Sequence, residues 1–189
     1  MFRIGEEEVA AVRETLLGKR MWRYQRDSQT ERFEHALSQK MASGYALALA
    51  SGTGALIAGL TALGIGPGDE VLVPAYTYIS TAIAPLAVGA VPILVEVDET
   101  LTMDASDLRR KITPRSRAVI PVHINGHPCD MDRILAVAAE HGISVLEDAC
   151  QSVGGSYRGR RLGTLGEMGA FSFNFYKIIS CGEGGAVLT

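Results

Sequence analysis

Cysteine is scarce in this chain. Cys129, Cys150 and Cys181 are its only three; they form no C-x-x-C pair, and no histidine stands at a metal-like spacing from them. A disulfide framework and a zinc site are excluded as organising features, and reduced thiols in a cytoplasmic protein are expected. An excess of charge of either sign is also lacking. With 18 Lys+Arg against 21 Asp+Glu the formal net charge is -3, and the basic residues are scattered, so there is no footprint for nucleic acid or an anionic membrane surface. A small-molecule substrate is expected instead. Unbroken apolar runs are missing as well. The uncharged stretches 41–68 and 71–95 are long enough to span a bilayer, yet seven glycines interrupt the first, and Pro74, Pro85, Gly89 and Pro92 the second. The N-terminal stretch MFRIGEEEVAAVRETLLGKR carries acids early and no apolar core, a poor match to a signal peptide.

What is present is an alternation. Hydrophobic residues make up 47% of 189 residues, enough for one buried α/β core. Val9, Val12, Leu16 and Leu17 share a face and predict an amphipathic helix over Glu6–Leu17 that packs as an arm. The basic, aromatic segment 18–27 has no period and reads equally as a subunit contact or a solvated connector. From residue 30 a helix runs through Phe33, Leu37 and Met41. Strands are then expected at 45–50, 70–73, 91–95, 118–122, 144–147, 169–173 and 186–188, with helices at 54–63, 79–88, 105–110 and 131–141. Most of these strands are apolar without alternation, the pattern of a parallel sheet covered by helices on both faces. The division expected is 1–28 as helix and connector and 29–189 as one α/β domain.

Three expected strands end in residues that carry chemistry. Ser51-Gly52-Thr53-Gly54 joins the first strand to a helix, where free N–H groups and a hydroxyl can cradle a phosphate; an ordinary N-cap turn explains Ser51 or Thr53 as well. Neither a dinucleotide fingerprint nor a P-loop is present. Asp148, in EDACQ, sits at the carboxyl edge of the sheet, where a carboxylate can hold a proton on a ligand's ring nitrogen or simply cap the next turn. Lys177 follows the apolar run FSFNFY; such surroundings favour a nucleophilic amine, although a snorkelling surface lysine gives the same local pattern. Tyr76 and Tyr78 could stack on a flat ring or pack in the core, and Tyr78 is the better stacker. His123 and His127 are four apart, but Gly126 and Pro128 break the helix that a metal pair would need.

Taken in order, SGTGAL, VPAYTYISTA, PVHINGHPCDMD, VLEDACQSVGGSYRGRRLGTLGEMGAFSF, Lys177 and GEGGAV resemble the DegT/DnrJ/StrS family of sugar aminotransferases that depend on pyridoxal 5'-phosphate (PLP), over residues 4–189. The resemblance implies an α/β fold, the fold-type I aminotransferase large domain, with a seven-stranded, mostly parallel sheet flanked by helices and its final strand antiparallel. It implies Lys177 as the Schiff-base lysine and proton shuttle, Asp148 on the pyridine nitrogen, Tyr78 stacked on the ring and Gln151 near its phenolic oxygen. Gly52, Thr53 and Ser172 are implied as phosphate contacts, with Gly54 adding a backbone donor. The implied reaction moves an amino group from glutamate or glutamine to a keto-sugar or keto-cyclitol, in a homodimer. Related sugar dehydratases carry a histidine in place of Lys177, so the lysine favours amino transfer over deoxygenation. Gly54 and FNFYKII depart from the family's commoner residues and leave the acceptor open. Family members are about twice as long and add a smaller C-terminal domain absent here, so a non-catalytic PLP-binding module is the alternative.

Overall fold

The computed structural model describes residues 4–189. Helices α1 (Glu6–Leu17) and α2 (Gln29–Met41) lead into β1 (Ala46–Leu49), α3 (Gly52–Ala62), β2 (Glu70–Pro74), α4 (Ser80–Ala87) and β3 (Val91–Val95). There follow α5 (Ala105–Lys111), β4 (Ser116–Val119), α6 (Met131–His141), β5 (Ser144–Asp148), a hairpin of β6 (Ser156–Tyr157) and β7 (Arg160–Arg161), β8 (Met168–Ser172) and β9 (Gly185–Leu188). Seven strands form one sheet in the order β1-β9-β8-β5-β4-β2-β3. Strand β9 is antiparallel to both neighbours, and every other pair is parallel.

Successive residues of the central strands β2, β4 and β5 enter different cores, which is why these strands read as continuous apolar runs. Leu72, Val119 and Val145 pack on one face with Leu108, Met131 and Ile134. Their neighbours Val71, Val73, Ala118, Ile120 and Leu146 pack on the other face with Leu56, Leu60 and Ala84. A third cluster joins Met41 to Phe171, Phe173 and Leu188. Each large side chain so buried contributes about 1.5–3 kcal/mol.

Four local features differ from expectation. Helix α3 starts at Gly52 rather than residue 54, because Ser51 caps it. Strand β4 ends at Val119: Ile120 still donates to Leu72 O at 2.8 Å, but Pro121 has no N–H with which to continue the ladder. The β6–β7 hairpin escaped notice because two-residue strands have no period; its turn is set by Arg158 and Gly159, at φ 47° and 82°. Most consequentially, α1 holds no buried residue, so the expected arm does not pack by its apolar face on the rest of the described chain.

The 18–27 segment is tethered. Arg23 forks onto Glu34 at 3.0 and 2.7 Å, and Glu34 also accepts from Ala48 N at 2.7 Å, tying the segment to α2 and β1. Its Met21, Trp22 and Tyr24 remain exposed. Among the described residues no helix is long and apolar enough to cross a membrane.

Candidate active site

The carboxyl ends of β1, β2, β5 and β8 surround one cleft of about 460 Å³, lined by residues of four separate sequence segments. Gly52, Thr53, Tyr78, Asp148, Gln151, Ser172 and Lys177 all line it. Open parallel sheets bind ligands at this edge.

The β1–α3 turn forms one wall. Ser51 Oγ accepts from Gly54 N at 3.0 Å, leaving the N–H groups of Gly52 and Thr53 without a helical acceptor at the positive end of α3. The Gly54 donor is thus engaged by Ser51, and Gly54 is not among the residues that line the cleft. Gly52 is buried against β8, and a Cβ on it would stand 2.8 Å from Ser172 Cβ and 2.9 Å from Cys150 Sγ. Only a residue without a side chain lets the backbone approach there. Thr53 Oγ1 donates to Ser80 Oγ at 2.8 Å, joining the start of α3 to the start of α4.

At the end of β5 the two acids face opposite sides of the sheet, as adjacent strand residues must. Glu147 is fully buried, accepting from the N–H groups of Gly163, Leu165 and Gly166 and pairing with His123 Nε2 at 2.9 Å. The other ring nitrogen of His123 accepts from Cys129 N at 3.2 Å. Both nitrogens are thus used structurally, His127 is exposed, and no group of three metal-ligating side chains occurs among the described residues. Asp148, also buried, opens on the cleft: its Oδ2 accepts from Thr81 Oγ1 at 2.9 Å and its Oδ1 from Cys150 N at 3.1 Å. Gln151 Oε1 accepts from Asn125 N at 2.8 Å, which fixes that side chain at the rim.

Ser172 closes β8, and Lys177 lies five residues on, in a loop held by short bonds. Lys177 N donates to Asn174 O at 2.9 Å, Asn174 Nδ2 to Glu183 Oε1 at 2.8 Å, and Phe173 N to Gly184 O at 2.8 Å. The lysine is half-buried, but Phe175, Tyr176, Ile178 and Ile179 around it are exposed. The apolar run therefore does not enclose the amine within this chain. Tyr76 and Tyr78 are exposed too, which rules out core packing for both. Burial first, then the Asp148 carboxylate, raises the Cys150 thiol well above its ordinary value and keeps it an inert wall.

Sequence reasoning passed over Leu56, Ser80, Cys150, Asn174, Tyr176 and Glu183 as lining residues, and Thr81 behind them. A signal existed for Ser80 and Thr81, hydroxyls in the first turn of a helix that follows a strand end.

The sheet order with its single antiparallel strand, and the helix N-terminus, carboxylate and lysine gathered at its carboxyl edge, define a fold-type I α/β large domain. The chain belongs to the DegT/DnrJ/EryC1/StrS aminotransferase family, which it matches over residues 3–189. It is 48% identical over 158 residues to GDP-perosamine synthase of Caulobacter vibrioides, covering 83% of this chain and 43% of that protein. It superposes with a TM-score of 0.95 on the aminotransferase from Psychrobacter cryohalolentis, at 37% identity, over 99% of this chain and 48% of that one. Spr1654 from Streptococcus pneumoniae, in its PLP-form, matches with a TM-score of 0.92 at 31% identity, over 98% and 51% of the two chains. The chain thus spans about half the length of the curated relatives it matches.

Proposed function

We propose that this chain carries the PLP site of an aminotransferase that moves an amino group from glutamate or glutamine to a keto-sugar or keto-cyclitol. The observation that carries the reading is the cleft into which Gly52, Thr53, Asp148, Ser172 and Lys177 converge from three strand ends. The fit to PLP rests on the same wall: Gly52 packs so close to Ser172 and Cys150 that a Cβ would collide, which brings the N–H groups at the start of α3 beside the Thr53 and Ser172 hydroxyls, a set suited to a phosphate. When bound, the cofactor supplies an aldehyde for an amine to capture and a protonated ring that takes up an electron pair.

Lys177 Nζ holds the cofactor covalently and afterwards carries the proton at the substrate carbon. Asp148 pairs with the ring nitrogen, Tyr78 covers the ring face, and Gln151 stands by the phenolic oxygen. The N–H groups of Gly52 and Thr53 and the Ser172 hydroxyl take the phosphate. Residues 1–28 serve as helix and connector and 29–189 as the cofactor-binding domain, in a cytoplasmic homodimer; the free cysteines among the described residues fit that compartment. GDP-perosamine synthase as a relative supports a nucleotide-linked keto-sugar as acceptor.

The chain mixed with PLP is expected to gain a visible absorbance band, to retain the cofactor after borohydride, and to convert it to its amino form with glutamate. Lys177→Ala is expected to lose the reducible linkage. A borohydride-stable adduct in Lys177→Ala overturns the assignment, and a linkage without conversion by glutamate shows a binding module.

A further inference from the structure

Thr81 does not line the cleft, yet it is fully buried, and its hydroxyl points at the acid that does. Burying a hydroxyl costs free energy unless it is bonded, and this one is bonded twice. Thr81 Oγ1 donates to Asp148 Oδ2 at 2.9 Å and lies 2.8 Å from Thr77 Oγ1. A hydroxyl has one proton. Since Thr81 gives its proton to Asp148, the Thr77 hydroxyl donates to Thr81, and the chain Thr77 to Thr81 to Asp148 runs in one direction.

The terminal torsion of an aspartate is soft, so one anchor does not fix its plane. Asp148 has two anchors from two elements, Thr81 of α4 on Oδ2 and the Cys150 N–H on Oδ1. Rotating the carboxylate breaks both. One lone pair on each oxygen is used in this way, and the others remain for the cleft. The same segment carries Tyr78, whose carbonyl accepts from Thr81 N at 3.1 Å. Residues 77–81 therefore set the ring-covering tyrosine and the orientation of the acid together.

We propose that Thr81 is the positioning residue for Asp148, with Thr77 as its outer donor, through a directed hydroxyl relay that aims the carboxylate at the cofactor's ring nitrogen. The proposal rests on the reading of Asp148 given under Proposed function. Loosening the relay weakens the hold on the ring proton. The lost positive charge then makes the linkage nitrogen at Lys177 easier to protonate.

The test titrates the visible band of the PLP-loaded chain with pH and measures PLP affinity by fluorescence. Thr81→Val, which keeps the shape and loses the hydroxyl, is expected to raise the titration midpoint by on the order of half to one pH unit and to weaken PLP by roughly three- to tenfold. Thr81→Ser is expected to stay within about twofold of the parent in affinity, with an unmoved midpoint. Thr77→Val is expected to move the midpoint in the same direction by less, and decides the matter if Thr81→Val does not fold. Asp148→Asn serves as reference. If it shifts the midpoint while Thr81→Val and Thr77→Val titrate like the parent, or if Thr81→Ser moves as far as Thr81→Val, the relay is overturned. If Asp148→Asn itself shifts nothing, or the parent takes up no PLP, the fault lies in the reading of the site, and the relay falls with it.

Discussion

Glu70 opens β2 as a buried carboxylate ahead of the apolar Val71, Leu72 and Val73. The Thr113 hydroxyl, and then the Arg115 guanidinium at 2.9 and 2.6 Å, hold its carboxyl below the ordinary value against the opposing effect of burial. A carboxyl lowered by folding stabilises the native state above its unfolded value, and that contribution is lost as pH falls through the folded one. Urea midpoints are therefore expected to decline from about pH 5 downward in the parent. Glu70→Gln is expected to be less stable at neutral pH and to show a flatter acid limb; an unchanged limb rules out Glu70 as its source. At this scale the sequence was legible only through combination. Lys177 and Asp148 each matched a commonplace surface or capping pattern, and their order along the chain raised them above it. Glu147 stood next to Asp148 with the same chemistry, and only the alternation of β5 sent it into a structural cage of three N–H groups and His123. Thr81 showed only as a first-turn hydroxyl after a strand end, and its partner 67 residues down the chain left no local pattern.

Elements were read more fully than residues, since the central strands β2, β4 and β5 lie between two apolar layers and helices α2 to α6 each bury part of their surface. The misplacements came where a single residue redirected the backbone: Ser51 by capping early, Pro121 by withholding a donor, Arg158 and Gly159 by turning a hairpin too short to show a period. The early cap matters most, because it decides which N–H groups of α3 stay free. Gly52→Ala is expected to lower PLP affinity by about tenfold or more and to cost roughly 1–3 kcal/mol of stability, as its Cβ meets Ser172 and Cys150 at 2.8 and 2.9 Å. Gly54→Ala, whose nearest new neighbour is Ser51 Oγ at 3.4 Å, is expected to leave affinity within about twofold and to gain up to about 1 kcal/mol from helix propensity. PLP titration and thermal unfolding of the pair check both; equal affinity losses would show that the helix start, rather than the close approach of Gly52 to Ser172, governs the site.

The whole molecule presents faces that its own fold does not cover. Helix α1 is capped by Glu8, which accepts from Gly5 N at 2.7 Å, yet a helix of its 12 residues is marginal in water without packing. Val9, Val12 and Leu16 on its apolar face are 54%, 59% and 56% exposed, and Met21, Trp22 and Tyr24 continue the exposed surface. The amphipathic period was plain in the sequence, but periodicity says that a face will be buried and not by what. A second copy of this chain is the occupant that the proposed homodimer supplies, and each of these side chains, fully covered, would add about 1.5–3 kcal/mol. Sedimentation velocity is expected to show a concentration-dependent dimer, with helicity and thermal stability rising together with its population. Val12→Asp combined with Leu16→Asp is expected to shift the protein toward monomer by at least tenfold in dissociation constant while leaving the sheet's near-native spectrum intact, since neither side chain touches the three cores. A dimer of unchanged affinity in the double variant would place the contact elsewhere, and a parent monomeric at every concentration would remove the homodimer from the reading of this chain.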